Sequence, residues 1–327
     1  VLDRVQQWLD APDQRIRYAA LVGCGRYCGQ AGIVLTRPIL KHLVSSHSPE
    51  ERRTAARLLC DMRNPADVSL VETLLADPDS TVRIAAVEIC AALQSPQFVP
   101  QLLQLYKSIE IRAYVLSALE KMPETSIPAI SEAAGDPNLD EPARDMLLQV
   151  LASIGGKTAQ KVLWEFFSGN FPLIIRIAAG NALRRMALAN QLQAVQEAEF
   201  EARLEFLCEE IRLLMQACQE IGDRDEFVWQ LLHDHTRLEI ENFFQLLAFK
   251  YNVHQIEKIR YNFFSPNPIH RSNALELLDD LLPRRIAADI GQLLVAFVKA
   301  KATTGRGLSE STAYQLMTKE PWLKAVS

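Results

Sequence analysis

Residues 77–86 read Asp77-Pro78-Asp79-Ser80-Thr81-Val82-Arg83-Ile84-Ala85-Ala86, and a similar phrase recurs along the chain. It consists of a turn residue, often next to proline, followed by an apolar residue, an arginine and one or two alanines. Other copies centre on Arg17, Arg53, Arg112, Arg144, Arg176 and Arg271, and from Arg17 to Arg176 their spacings are 36, 30, 29, 32 and 32 residues. Such a period is typical of stacked supersecondary units. The chain is therefore predicted to be a repeat protein.

Each unit is predicted to be a pair of helices, because apolar residues recur three and four positions apart on both sides of the turn. Aligning the units on their arginines gives two columns without a polar residue. The column three positions on contains Ala20, Ala56, Ala86, Val115, Leu147, Ala179 and Ala274. The column seven positions on contains Cys24, Cys60, Cys90, Leu119, Leu151, Leu183 and Leu278. Both columns are predicted to be buried, with the cysteines acting as small hydrophobic residues.

Acidic residues stand at the predicted start of several second helices. Asp13, Asp79 and Asp140 each lie four positions before the arginine of their unit. A carboxylate at this position accepts hydrogen bonds from free amides of the first turn and can reach a side chain one turn on. We expect these aspartates to cap the second helices and to pair with the arginines.

This pattern of Asp-Pro, Val-Arg and Ala-Ala resembles the HEAT-repeat family over residues 1–190, and more loosely over 254–290. The resemblance implies an all-α right-handed superhelix of antiparallel helix pairs whose second helices line the concave face. Tyr114, Met146 and Asn273 stand where other units have the first alanine. These departures predict looser or differently angled stacking at those units.

Residues 191–252 interrupt the repeat and are predicted to form a long acidic helical hairpin. An apolar stripe with alternating spacings of four and three runs along its first helix: Phe200, Leu204, Leu207, Ile211, Leu214, Cys218 and Ile221. The predicted organisation is thus a repeat domain (1–190), the hairpin (191–252), a final helix pair (253–300) and a C-terminal tail (301–327).

Charge and composition restrict the classes of partner. The 327 residues carry a net charge of −5, and residues 191–241 hold 13 acidic but only 4 basic side chains. An acidic block repels phosphate, so nucleic acid is disfavoured as a partner. The sequence has no apolar run near the roughly 18 residues that span a bilayer. Six cysteines without a paired-loop framework favour a reducing compartment, which predicts the cytoplasm, either free or at the cytosolic face of a membrane.

No residue set predicts a catalytic, cofactor or metal site. Gly155-Gly156-Lys157-Thr158 imitates the end of a phosphate-binding loop, but Leu151 stands where that motif requires a glycine. His233, His235 and Glu239 have spacings that suit metal ligands, yet they lack a second pair of ligands. The chain is predicted not to be an enzyme and to need no cofactor.

The sequence predicts a non-enzymatic scaffold that binds one or more proteins, since stacked repeats build extended surfaces. Counting one, five and eight positions past each arginine selects one face of the second helices. The predicted partner-binding residues on that face are Tyr18, Asp61, Glu88, Glu120, Gln149, Asn181 and Arg184.

Two other functions stay open. Residues 243–282 are similar to the end of a HEAT module that follows nucleotide-transporter-like or major-facilitator-like membrane domains in some bacterial proteins. This resemblance implies a regulatory cytosolic module tethered to a membrane domain outside the present chain, which starts at Val1. Some HEAT-like proteins are bilin lyases or DNA glycosylases, so an enzymatic role is a further alternative.

Overall fold

The computed structural model describes residues 7–63, 68–222, 225–300 and 312, and every regular element in those ranges is helical. This confirms the predicted all-α class with paired helices. The chain divides into two compact units, 1–154 and 155–327. The division follows residue 154, whereas the sequence led us to end the repeat domain at residue 190. The predicted tail 301–327 lies outside the described residues, apart from Thr312.

The first unit contains nine described α-helices. They are α1 (Gln14–Tyr27), α2 (Gly29–Val44), α3 (Pro49–Met62), α4 (Val68–Leu75), α5 (Ser80–Leu93), α6 (Val99–Leu105), α7 (Arg112–Leu119), α8 (Ile127–Gly135) and α9 (Glu141–Ile154).

The second unit contains seven described helices, two of them 25 residues long. They are α10 (Gly156–Ser168), α11 (Leu173–Leu188), α12 (Glu197–Ile221), α13 (Glu226–Lys250), α14 (Val253–Phe263), α15 (Pro268–Leu281) and α16 (Arg284–Lys299).

Helices of the first unit lie in two layers. The second helices of successive repeats, α1, α3, α5, α7 and α9, contact one another in chain order, and among the first helices α2 contacts α4 and α6 contacts α8. Ala86, Val115 and Leu147, from the first sequence column, are completely buried between the layers. The two apolar columns are buried as predicted, apart from Ala20 and Cys60, which are half-buried.

An arginine on each second helix of the first unit binds the turn that precedes the helix. Arg83 Nη1 donates to the carbonyl oxygens of Asp77 (2.7 Å) and Pro78 (2.9 Å), six and five residues earlier. Arg17 makes the same two contacts with Ala11 and Pro12. We call this contact the arginine–turn clamp. Its hydrogen bonds satisfy carbonyl groups that the helix itself cannot pair.

In the second repeat, the arginine that binds the turn lies one residue before the arginine used in the sequence alignment. Arg52, not Arg53, donates to the carbonyl oxygens of Ser46 (2.9 Å) and His47 (3.1 Å), while Arg53 pairs with Glu50 on the helix surface. Arg52 also forms a bidentate pair with the Asp77 carboxylate of the following repeat, at 2.6 and 2.9 Å.

This shift of register corrects the cysteine column. Leu59, seven residues after Arg52, takes the buried position, and Cys60 is half-buried. Cys24 and Cys90 are buried as expected.

The aspartates cap helices but do not pair with the arginines of their own units. Asp13 accepts a hydrogen bond from Arg15 N (2.8 Å), and Asp140 accepts one from Ala143 N (2.7 Å). Asp79 accepts hydrogen bonds from the Thr81 hydroxyl and from the amide of Thr81, which lower the pKa of its carboxyl group. Because the folded-state pKa is lowered, this contribution to stability is present at neutral pH and is lost as the pH falls through that value.

The long hairpin is formed by α12 and α13, in the part of the chain where the sequence placed it. The predicted stripe is buried from Phe200 to Cys218, but Arg203, Glu210 and Met215 are buried as well. The buried face is wider than the stripe because α12 packs against both α13 and α16. Glu201, Glu205 and Glu209 lie on its exposed side.

Within the described residues, no helix combines the length and the apolar character needed to cross a bilayer.

We expect Arg83→Ala to lower the free energy of unfolding by about 1–3 kcal/mol, because two hydrogen bonds from a charged group are lost. Arg57→Ala is the control, since Arg57 is exposed on the neighbouring second helix, and should change stability by less than about 0.5 kcal/mol. Urea denaturation at pH 7 measures both. Equal midpoints for Arg83→Ala and the wild type would contradict the role of the clamp.

Thiol labelling at pH 8 should separate buried cysteines from half-buried ones. Burial raises the pKa of the Cys90, Cys208 and Cys218 thiols to about 12, so these thiols should remain unlabelled until denaturant is added. Cys28 and Cys60 are half-buried and should react first. Mass spectrometry of labelled peptides identifies the sites, with fully denatured protein as the reference. Rapid labelling of Cys90 in native protein would contradict the packing described above.

Candidate functional site on the second helices

Five of the seven predicted partner-binding residues lie on successive second helices of the first unit, or at the end of one. Tyr18 lies on α1, Asp61 on α3, Glu88 on α5 and Gln149 on α9, while Glu120 directly follows α7. The three carboxylates are exposed, and the tyrosine and the glutamine are half-buried. We call the exposed side of α1, α3, α5, α7 and α9 the second-helix face.

Direct contacts join neighbouring helices along this face. The Tyr18 hydroxyl donates to Asp61 Oδ2 at 2.7 Å. Burial, followed by this hydrogen bond, raises the pKa of Tyr18, so the hydroxyl stays protonated at neutral pH. Cys60 Sγ lies 4.0 Å from the carbonyl oxygen of Glu88 on the next helix. The predicted residues on α1, α3 and α5 are therefore neighbours.

Two large apolar side chains are exposed on helices that contribute to this face. Tyr114 on α7 is 46% exposed, and Met146 on α9 is 39% exposed. Each lies two residues after the arginine of its unit, the position held by Ala19 and Ala85 in other units. The sequence predicted looser stacking here, but Val115 and Leu147, the next residues, are completely buried. These departures from alanine therefore place bulk at the surface and leave the core packed.

In the second unit, the corresponding positions contact other helices of the unit. Asn181 Oδ1 accepts a hydrogen bond from Gln245 Nε2 on α13 at 2.8 Å, and Arg184 Nη1 donates to Glu257 Oε1 on α14 at 3.2 Å. Gly180 permits this approach, because a Cβ atom there would lie 1.9 Å from Gln245 Oε1. Asn181 and Arg184 thus serve packing within the second unit, whereas the other five residues belong to the first unit.

A buried ionic pair reinforces the contact between α11 and α13. Arg176 Nη2 lies 2.6 Å from Glu239 Oε1, and the Glu239 side chain is completely buried. Asn242 Nδ2 donates to the other carboxylate oxygen at 3.2 Å. Arg176 was expected to act as the equivalent of Arg83, but it reaches a helix 63 residues further along the chain.

Arg203 adds a second buried guanidinium to this region. It is 5% exposed, and its Nε and Nη2 atoms have no hydrogen-bond partner among the described residues. The rings of Phe167 and Phe206 lie 5.1 and 4.6 Å from its guanidinium carbon. Burial, followed by the charge of Arg176, lowers the pKa of Arg203 to about 10. The side chain therefore remains charged at neutral pH and carries the cost of desolvation.

The motif His233, His235 and Glu239 on α13 does not form one site, because His233 and Glu239 contact different residues. The His233 ring stacks between Trp229 and Phe297, with centroids 4.9 and 4.5 Å away, and burial lowers its pKa. Glu239, the carboxylate of the same motif, pairs with Arg176. Among the described residues, no three His, Cys, Asp or Glu side chains are grouped closely enough to hold a metal ion.

Substitution of Arg176 and substitution of Arg203 should have different effects on the free energy of unfolding. Arg176→Met leaves Glu239 buried without this partner and should lower the free energy of unfolding by about 3–5 kcal/mol. Arg203→Met removes a buried charge whose hydrogen bonding is incomplete, so its stability should lie within about 1 kcal/mol of the wild type or above it. Urea denaturation ranks the two variants. Greater destabilisation by Arg203→Met would contradict this account of the cluster.

Comparison with known proteins supports the repeat assignment over part of the chain. Residues 36–110 match a family model of HEAT repeats. No curated protein matches the chain. The resemblance to transporter-attached modules and the bilin lyase alternative are not tested by these comparisons and stay predictions.

Similar solved structures include an engineered protein from the Northeast Structural Genomics Consortium and human deoxyhypusine hydroxylase in complex with glycerol. The first is 17% identical with a TM-score of 0.38, and the match covers 97% of this chain and 88% of that one. The second is 16% identical with a TM-score of 0.28, and the match covers 91% and 96%. With scores this low, neither structure carries an argument about function. The family match supports the HEAT-repeat assignment over residues 36–110, which include α4 and α5 and most of the pair α2–α3.

Proposed function

We propose that the chain is a non-enzymatic protein-interaction module that holds its partner on the second-helix face of the first unit. The observation that supports this most directly is the exposure of Tyr114 and Met146 on adjacent helices of that face. Aromatic side chains and methionine are enriched at protein interfaces, where burial of a few such residues supplies much of the binding energy.

The geometry of the repeats suits this role. Five second helices contact one another in order, and helices packed in this way lie about 8–10 Å apart. A row of five helices therefore presents a surface about 40 Å long, which is enough for a standard protein–protein interface of about 800 Å² per partner. The core behind the row is completely buried at Ala86, Val115 and Leu147. The face can thus be rigid before the partner arrives, which reduces the entropy lost on binding.

Photocrosslinking tests this proposal. A benzoylphenylalanine at Ser117, an exposed position of the second-helix face, should capture a partner from an extract of the source organism. The same group at Gln104, an exposed position on the first helix α6, should capture much less of it. Tyr114→Ala with Met146→Ala should reduce the Ser117 product at least about tenfold, since each buried anchor contributes about 1 kcal/mol or more.

The control for this experiment reverses charge in equal amounts on the two layers. Glu88→Arg with Glu120→Arg should abolish the Ser117 product, and Glu72→Arg with Glu132→Arg on the first helices α4 and α8 should not. Circular dichroism must show that all variants are folded. If capture depends on the first-helix variants and not on the second-helix variants, the binding face is wrong. If neither position captures a protein, the proposed function is wrong.

A further inference from the structure

We propose that the second-helix face recognises a basic segment of its partner that carries an apolar side chain, with Glu88, Glu120 and Asp145 contacting the positive charges and Tyr114 and Met146 contacting the apolar group. This inference rests on the proposed function and specifies the chemistry of the partner.

The first step of the argument is that the basic residues of α5, α7 and α9 bind the turns that precede these helices. These helices contain one basic side chain each: Arg83, Arg112 and Arg144. Arg83 binds the turn carbonyls of Asp77 and Pro78, and Arg112 Nε donates to the carbonyl oxygen of Tyr106 at 3.1 Å.

Arg144 is withdrawn most completely. It is buried, and it donates to the carbonyl oxygens of Ala134 (2.8 Å), Asp136 (2.6 Å) and Leu139 (3.2 Å). All three arginines of these helices are therefore engaged by backbone carbonyls before the helices.

The second step is that carboxylates lie on the face, while the arginines of the same helices bind turn carbonyls. Glu88 and Glu120 are exposed and Asp145 is partly exposed. Lys121, which is exposed, follows Glu120 in the turn after α7. Helices in contact lie about 8–10 Å apart, close to the Debye length of about 8 Å at physiological salt. Each carboxylate therefore acts chiefly on a charge that contacts it.

This excess of negative charge is confined to α5, α7 and α9. On α3, Arg57 is exposed, and Asp61 already accepts the hydrogen bond of Tyr18. The acidic part of the face thus coincides with the part that exposes Tyr114 and Met146. A basic segment with one apolar side chain complements both features, whereas an acidic segment or a nucleic acid phosphate would be repelled.

The test uses three fluorescein-labelled synthetic dodecapeptides with the full chain, measured by anisotropy at 150 mM salt. One alternates lysine and leucine, one alternates lysine and serine, and one alternates glutamate and leucine. The lysine–leucine peptide should bind at least about tenfold more tightly than either of the others, because only it satisfies both features.

Matched variants locate the binding. Glu88→Gln with Glu120→Gln and Asp145→Asn should weaken binding of the lysine–leucine peptide about tenfold. Glu199→Gln with Glu201→Gln and Glu226→Gln makes the same change of charge on the hairpin helices α12 and α13, and should leave this binding within about twofold of the wild type. Tyr114→Ala with Met146→Ala should reduce lysine–leucine binding to the level of lysine–serine binding, which itself should not change.

Each other outcome overturns the inference. Tighter binding of the glutamate–leucine peptide would give the face the opposite preference, and equal losses in both charge variants would make the attraction a property of net charge. Loss in the hairpin variant alone would move the site to α12 and α13. Absence of binding to all three peptides would also reject the inference. The proposed function is judged separately, because capture at Ser117 does not depend on these peptides.

Discussion

The arginine–turn clamp is the contact on which the first unit depends. A second helix can rotate about its axis without losing any hydrogen bond of its own, so something outside the helix must fix which side faces the core. The guanidinium of Arg83 does this by holding two consecutive carbonyl groups of the preceding turn. Once the arginine is fixed, the residues three and seven positions on face the core, and those one and five positions on face outward. The clamp and the burial of the apolar columns thus favour the same orientation of the helix.

The clamp also explains how a chain with so many arginines presents an acidic surface. Each repeat uses its arginine for the backbone of a turn, which is a neutral partner with two acceptors. Backbone carbonyls are the partners of Arg17, Arg83 and Arg144, whereas Arg52 and Arg112 also contact a carboxylate of the following repeat. Acidic side chains on α5 and α9, and Glu120 directly after α7, are left available for other partners.

Most of the fold could be predicted from the sequence because short-range patterns determine it. Each signal involves residues close together in sequence. These signals are the arginine phrase, the two apolar positions that follow it and the aspartate caps. The register at Arg52 and Arg53 could not be predicted, because two adjacent arginines fit the same pattern and only the turn carbonyls distinguish them. In the structure, the buried carboxylate of Asp77 in the following repeat also selects Arg52, because it pairs with that side chain.

The candidate site was predicted less completely, for reasons of long-range contact. Asn181 and Arg184 fit the pattern of an outward face, but α13 and α14 pack against α11 in the folded chain. The charge pair of Arg176 and Glu239 depends on residues 63 positions apart, and no local pattern encodes that distance. Tyr114 and Met146 were noticed as departures from alanine, yet their exposure could not be known without the direction of each side chain. Their position two residues after the clamping arginine was the available clue.

The link from Arg52 to Asp77 has a consequence for how such an array can change in length. Arg52 holds its own turn and, at the same time, the carboxylate of the next repeat, and Arg112 reaches Asp140 of its following repeat at 3.7 Å. The intervening arginine, Arg83, uses its Nη1 atom for its own turn. Duplication or deletion of a single repeat would separate such a pair. An arginine would then precede a turn without the matching aspartate, or an aspartate would follow a helix without the matching arginine. A block of two repeats keeps each such donor with its acceptor, so insertions and deletions of helix pairs should be tolerated in twos more readily than singly.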